Sequence, residues 1–187
     1  MSKRGLRAAV LLGLALVPAC ATPGPSTPEP AAYQELELAL RALGGSADPI
    51  EAARLARAVV DATAELRARY RPLRPALVGN LAFYLGLRER ALCCHWVEDL
   101  LRSLTALEIQ GFELHWGVAH FGNRLREHSA LVVVPRGRAL EQGLVLDAWR
   151  HSGRLYWSRL DRDRYPWQLH PSDARRDRLA CRARGPG

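Results

Sequence analysis

A nucleophile, a base and an orienting carboxylate occur in that order in one stretch of this chain. Cys93 and Cys94 head an apolar helical pattern, His128 opens a strand-like run, and Asp147 closes another. A cysteine attacks only as its thiolate, and the orphan N–H groups of a helix N-terminus favour that anion. Attack then needs a base within hydrogen-bond reach, and the base needs a carboxylate that fixes which ring nitrogen carries the proton. Alternation puts His128, Ala130, Val132 and Val134 on one strand face, so Asp147 on a neighbouring strand can reach beside His128. Successive helical residues point about 100° apart, so only one of the two thiols can face the histidine. Taken alone, two adjacent cysteines read as small buried apolar groups, and it is the ordered arrival of His128 and Asp147 that favours catalysis.

The elements that position these groups follow from periodicity. Helical patterning from near Tyr33 places Leu36, Leu40 and Leu43 on one stripe and stops at Gly44-Gly45. Asp48-Pro49-Ile50-Glu51 supplies an N-cap, a proline at the first helical position and a glutamate that would complete a capping box. The helix it opens runs to about Tyr70 with Leu55, Val59, Ala62, Leu66 and Tyr70 facing one way. After Pro72 and Pro75, the apolar segment 76–87 reads as a short helix or a buried loop. Residues 92–107 carry Trp96, Leu100, Leu104 and Leu107 on one face of the central helix. Strands are expected over 112–119, 128–134, 144–149 and 154–158, with turns at Arg136-Gly137 and Ser152-Gly153. An α+β fold results, with helices packed on a mainly antiparallel sheet. The aromatic-rich close, 149–157 and 165–167, reads mostly as core, with Trp149 and Arg150 as candidates for the wall of a substrate cleft.

The N-terminus reads as an export signal over residues 1–19, with Lys3, Arg4 and Arg7 ahead of an apolar run, Ala8 to Val17, too short to span a bilayer. Leu16-Val17-Pro18-Ala19-Cys20 resembles the lipobox of bacterial lipoproteins, which implies lipidation of Cys20, and Ala21 after it implies sorting to the outer membrane. Residues 20–32 then form a flexible tether, 33–171 a single domain (a helical part to 75, a catalytic part beyond), and 172–187 a loosely ordered tail. The formal charge of +8 includes three cations of the leader, and the rest are scattered, so no nucleic-acid partner is expected. With four cysteines, two of them vicinal, a disulfide framework is not expected, and Cys181 is the one partner open to Cys93 or Cys94.

The order and local patterns of the central segment resemble the transglutaminase-like branch of the papain-like superfamily. In that branch a cysteine opens a helix and an aromatic residue follows three positions on, as Cys93 and Trp96 do here. The histidine element is matched by His128-Ser129-Ala130-Leu131-Val132-Val133 and the aspartate element by Leu144-Val145-Leu146-Asp147, with Ala148 where proline is usual. Setting Trp96 in the aromatic position implies Cys93 as nucleophile, with Cys94 as the alternative, and puts Trp96 beside the substrate. The resemblance implies a cysteine hydrolase or acyltransferase that works through a thioester, without a cofactor, on cell-wall peptides or envelope proteins accessible to a lipoprotein facing the periplasm. The competing class is a non-catalytic envelope lipoprotein that uses the same fold as a binding or assembly module. A metal centre from Cys93, Cys94, His95, His115 and His120 is disfavoured, because two histidines five apart in a strand fall on opposite faces.

Overall fold

A computed structural model describes residues 28–45, 48–123, 125–173 and 181. The expected signal segment, Cys20 and most of the tether lie outside the described residues, as does most of the expected tail. Four helices, α1 (Pro30–Arg41), α2 (Pro49–Tyr70), α3 (Ala76–Tyr84) and α4 (Cys93–Leu104), precede the strands β1 (Phe112–Ala119), β2 (His128–Pro135), β3 (Leu144–His151), β4 (Arg154–Arg159) and β5 (Trp167–Leu169). The sheet is antiparallel in the order β4-β3-β2-β1-β5, so the fold is α+β. β1 to β4 form the expected meander. The three-residue β5, too short to show a period, was not legible and pairs along β1 through Gly117↔Leu169 and Ala119↔Trp167.

All eight residues of the central strand β2 are buried. Leu131 and Val133 join the helix-covered core with Leu36, Leu55, Val59, Leu66, Leu100 and Trp116. Ala130, Val132 and Val134 join a second core on the other face with Val145, Leu160 and Trp167. That two-sided burial explains a continuous apolar run where a half-exposed strand would alternate.

α1 begins at Pro30, so the last part of the expected tether is already helical. α2 is capped as its sequence requires, Asp48 Oδ1 accepting from the Ile50 N–H at 3.0 Å. Glu51 does not close a capping box. Its two carboxylate oxygens accept instead from the backbone N–H groups of Gln110 and Gly111, each at 2.7 Å, and so clamp the α4–β1 connection to the start of α2. At the opposite end, Arg71 in the left-handed region (φ 45°) terminates α2, and the β3–β4 hairpin turns on Ser152 and Gly153, both at positive φ. Ser152 Oγ donates to the Leu73 carbonyl at 3.0 Å, tying that hairpin to the end of α2. A side chain at Gly153 would collide with Arg67.

Segment 76–87 is a helix followed by a turn, but it is not buried. Its small residues Ala76, Gly79 and Ala82 face the protein while Leu77, Val78, Leu81, Tyr84, Leu85 and Leu87 face outward. α4 is shorter than its pattern, ending at Leu104, although Leu107 still packs on the core.

Candidate active site

Cys93 is the first residue of α4, and no side-chain oxygen caps the helix, whose N-cap is Leu92. The ring of His95 takes that role: Nδ1 accepts from the N–H groups of Ala91 and Leu92 at 3.1 and 3.2 Å. Burial and the nearby Arg90 cation push His95 down to about 4, which suits a neutral ring accepting at Nδ1. Tyr70 donates to Asp99 Oδ2 at 2.5 Å, Arg90 donates to Glu98 and Asp99, and Arg102 donates to Asp99, fixing the outer side of α4. The helix start is therefore held by its own third residue and by a charged network one turn on.

His128 opens β2. Extending the pairing Leu131↔Leu146 by one step sets Asp147 opposite Ala130, two residues from His128 on the same face. The side chains meet as that diagonal allows, with His128 Nε2 donating to Asp147 Oδ2 at 2.6 Å. Asp147 is wholly buried. Its Oδ1 accepts from the backbone N–H groups of Trp149 and Arg150 at 3.0 and 2.9 Å, and Oδ2 also accepts from Arg150 Nε at 2.9 Å. Burial opposes its charge, but His128 and Arg150 outweigh this and hold Asp147 below the usual carboxylate range.

The other ring nitrogen of His128, Nδ1, is buried without a hydrogen-bond partner among the described residues. Burial disfavours the imidazolium of His128, but Asp147 and, after it, Cys93 favour it and prevail, and the ring is pushed up to about 10. With Nε2 committed to Asp147, the nitrogen left for the sulfur is Nδ1. Trp149, Tyr165 and Trp167 pack round the imidazole with ring centroids 5.0, 4.8 and 5.4 Å away.

The structure bonds His128 to Asp147, and Cys93 contributes to the charge environment of the same ring. Cys94 forms a disulfide with Cys181, and Cys93 is the one free thiol among the described residues. The alternative nucleophile is therefore occupied, and a pairing that cysteine counting left open is made. Cys94, His95 and Cys181 hold ligand atoms within 4.8 Å of one another, but with both sulfurs in the disulfide no thiolate is left there for a metal. His115, from the disfavoured metal set, is bonded at Nδ1 to Asp173 at 2.8 Å.

The proposed cleft residues divide. Trp96 and Trp149 border a small cavity with Tyr70, Ala76, Gly79 and Ala91, and Trp149 Nε1 donates to Asn80 Oδ1 at 3.1 Å. Trp96 itself is almost fully buried against Tyr70, so it lines the floor and offers no open wall. Arg150 is not a cleft wall. Its guanidinium lies under the site, donating to Asp147 and, at 3.0 and 3.3 Å, to the two oxygens of Asp163, with Tyr156 against its face at 4.2 Å.

Asp163 and the aromatic cage escaped the sequence reading. Asp163 stands in the charged run Asp161-Arg162-Asp163-Arg164, which reads as a solvated loop. Tyr165 and Trp167 were legible as bulky groups but not as neighbours of His128, because β5 returns next to β1 from the far end of the chain.

Arg150 bridges two fully buried carboxylates, Asp147 and Asp163. Arg150→Met is expected to cost roughly 3 kcal/mol or more, because it takes the cation from buried Asp163 and leaves Asp147 with His128 as its charged partner. Arg150→Lys should recover only part of this, since a point charge cannot serve both carboxylates in the planar geometry of guanidinium. Urea denaturation measures the difference, and a loss under about 1 kcal/mol for the methionine variant would refute this role.

The chain matches no known protein family, no characterised protein and no solved structure. Its function is therefore argued from the site.

Proposed function

We propose that this protein is an envelope-facing cysteine hydrolase or acyltransferase that opens an amide bond through a thioester on Cys93. The observation that carries the reading is the buried His128, bonded at Nε2 to Asp147 and unpartnered at Nδ1, in a charge environment to which Cys93, at the first position of a helix, contributes.

In this scheme the Sγ proton has passed to Nδ1 before the substrate binds, leaving a thiolate beside an imidazolium, and the sulfur attacks the amide carbonyl carbon. Collapse of the tetrahedral adduct breaks the C–N bond, and the imidazolium returns the proton to the departing amine. The acyl group remains on Cys93 as a thioester. Water, in hydrolysis, or a second amine, in transfer, then attacks the thioester carbon while Nδ1 takes its proton, and the thiol is released. Asp147 keeps Nε2 protonated throughout and stabilises the imidazolium. The resemblance to transglutaminase-like enzymes supports the same assignment, and lipidation at Cys20 would make cell-wall peptides and envelope proteins the accessible substrates.

The test is thiol reactivity. Iodoacetamide at pH 7 should modify Cys93 at least about tenfold faster than free glutathione, with the site mapped by mass spectrometry. Modification at or below the glutathione rate would remove the nucleophile and leave a binding or assembly module.

A further inference from the structure

The face that α3 turns outward is the reverse of an ordinary amphipathic helix. Leu77, Val78, Leu81, Tyr84 and Leu85 lie at i, i+1, i+4, i+7 and i+8, one contiguous stripe, and Leu77, Leu81 and Leu85 are 66, 58 and 62 % exposed. Leu87, 72 % exposed, extends the stripe into the following turn. Single exposed leucines need no explanation, but six large apolar residues in one patch mark an interaction surface. The inner face of α3 belongs to the site region: Asn80 holds Trp149, Phe83 packs on His95 at 5.0 Å between centroids, and Gly79 admits Ala91.

Charge identifies the occupant. From Arg67 to Arg90 the chain carries six arginines and one acid, Glu89. Arg88 and Arg90 are turned inward by hydrogen bonds to Tyr70 and its neighbours, whereas Arg71 and Arg74, immediately before α3, are exposed. An apolar stripe bordered by arginine fits the boundary between acyl chains and anionic headgroups. At nine residues α3 is far too short to cross a bilayer, so it would lie in the interface.

The path of the chain places the patch at the right end of the domain. α1 and α2 are antiparallel neighbours, and Tyr33, near the start of α1, donates to Asp61 of α2 at 2.6 Å. The chain therefore enters the domain toward the C-terminal end of α2, the end from which residues 71–75 lead into α3. Nine residues separate Cys20 from Pro30 and span at most about 32 Å fully extended. A chain anchored at Cys20 would hold α3 within reach of the bilayer.

We infer that the outward face of α3 docks into an anionic lipid surface and holds the Cys93 site at the membrane. The inference rests on the envelope-anchored reading for its setting, and the experiment separates the two. Hydrogen–deuterium exchange of the full chain is followed with and without phosphatidylglycerol vesicles, and with phosphatidylcholine vesicles as the uncharged comparison. Peptides covering 76–87 should exchange at least about fivefold more slowly with phosphatidylglycerol, with little change in phosphatidylcholine. The triple variant Leu77→Gln, Leu81→Gln and Leu85→Gln should lose this protection while its Cys93 alkylation rate stays that of the parent. No vesicle-dependent protection of 76–87, or protection equal in both lipids, overturns the proposal. Protection already present without vesicles also overturns it, in favour of a second copy or another segment of this chain as the occupant. Loss of palmitate incorporation in Cys20→Ser tests the anchor separately, so a missing anchor and a non-docking α3 give different results.

Discussion

Cys93→Ala is expected to abolish amide turnover and rapid alkylation together, while Cys94→Ala keeps both within about threefold and lowers stability instead. The two thiols are adjacent in sequence yet differently bonded. Cys93 is the free thiol that acts on His128, and Cys94, turned about 100° round the helix, is bonded to Cys181. Breaking a bridge between residues 87 apart releases the unfolded chain from a long loop, worth about 4.6 kcal/mol in a chain-entropy account. Cys94→Ala should therefore show a clear fall in denaturation midpoint, and the double variant Cys94→Ala/Cys181→Ala removes the stray thiol from the alkylation record. Turnover is to be measured on cell-wall peptides and envelope proteins. Equal tolerance of both single substitutions would eliminate the cysteine mechanism, and loss confined to Cys94→Ala would move the nucleophile by one residue.

The parts of this architecture that were legible in sequence are those set by local periodicity. Leu55, Val59, Leu66 and Tyr70 on α2, Trp96, Leu100 and Leu104 on α4, and the apolar run of β2 are each decided within a few residues, and each is buried. Asp147 beside His128 also follows from alternation plus one antiparallel pairing. What escaped depends on contacts made across long separations. Glu51 has the right spacing for a capping box, but two N–H groups some sixty residues on compete for its carboxylate and win. Arg150 two residues beyond the strand midpoint looks like a rim cation until Asp163 arrives from another loop. α3 was readable as apolar but not as exposed, because composition gives no sign of which side a helix packs on when its inner positions are alanine and glycine.

These long-range contacts explain why the site is built in depth. A buried carboxylate with histidine as its only partner is costly, and Asp147 instead has two backbone N–H donors and Arg150 besides His128. Its charge therefore does not depend on the histidine. His128 can be removed without stranding Asp147, so its chemical role can be tested in a folded protein.

His128→Ala is accordingly expected to remain folded near neutral pH and to lose about 10²–10⁴-fold in turnover, the usual range for a positioned general base. Alkylation of Cys93 at pH 7 should slow in parallel, because His128 is the group proposed to take its proton. Stability provides an independent readout. Burial favours the neutral ring, but Asp147 and Cys93 raise the folded-state pKa of His128 to about 10, above an ordinary value near 6.5. Between those values the folded protein binds a proton that the unfolded chain has released. The stabilisation is thus fully present below about pH 6.5 and is lost as pH rises through about 10, with a slope of up to about 1.4 kcal/mol per pH unit. Urea midpoints taken from pH 6 to pH 10 should fall along that course in the parent protein, and His128→Ala should flatten it. A folded His128→Ala variant with unchanged alkylation kinetics would show that the ring does not serve Cys93. An unchanged pH slope would show that the ring is not held as an imidazolium between Asp147 and the thiol.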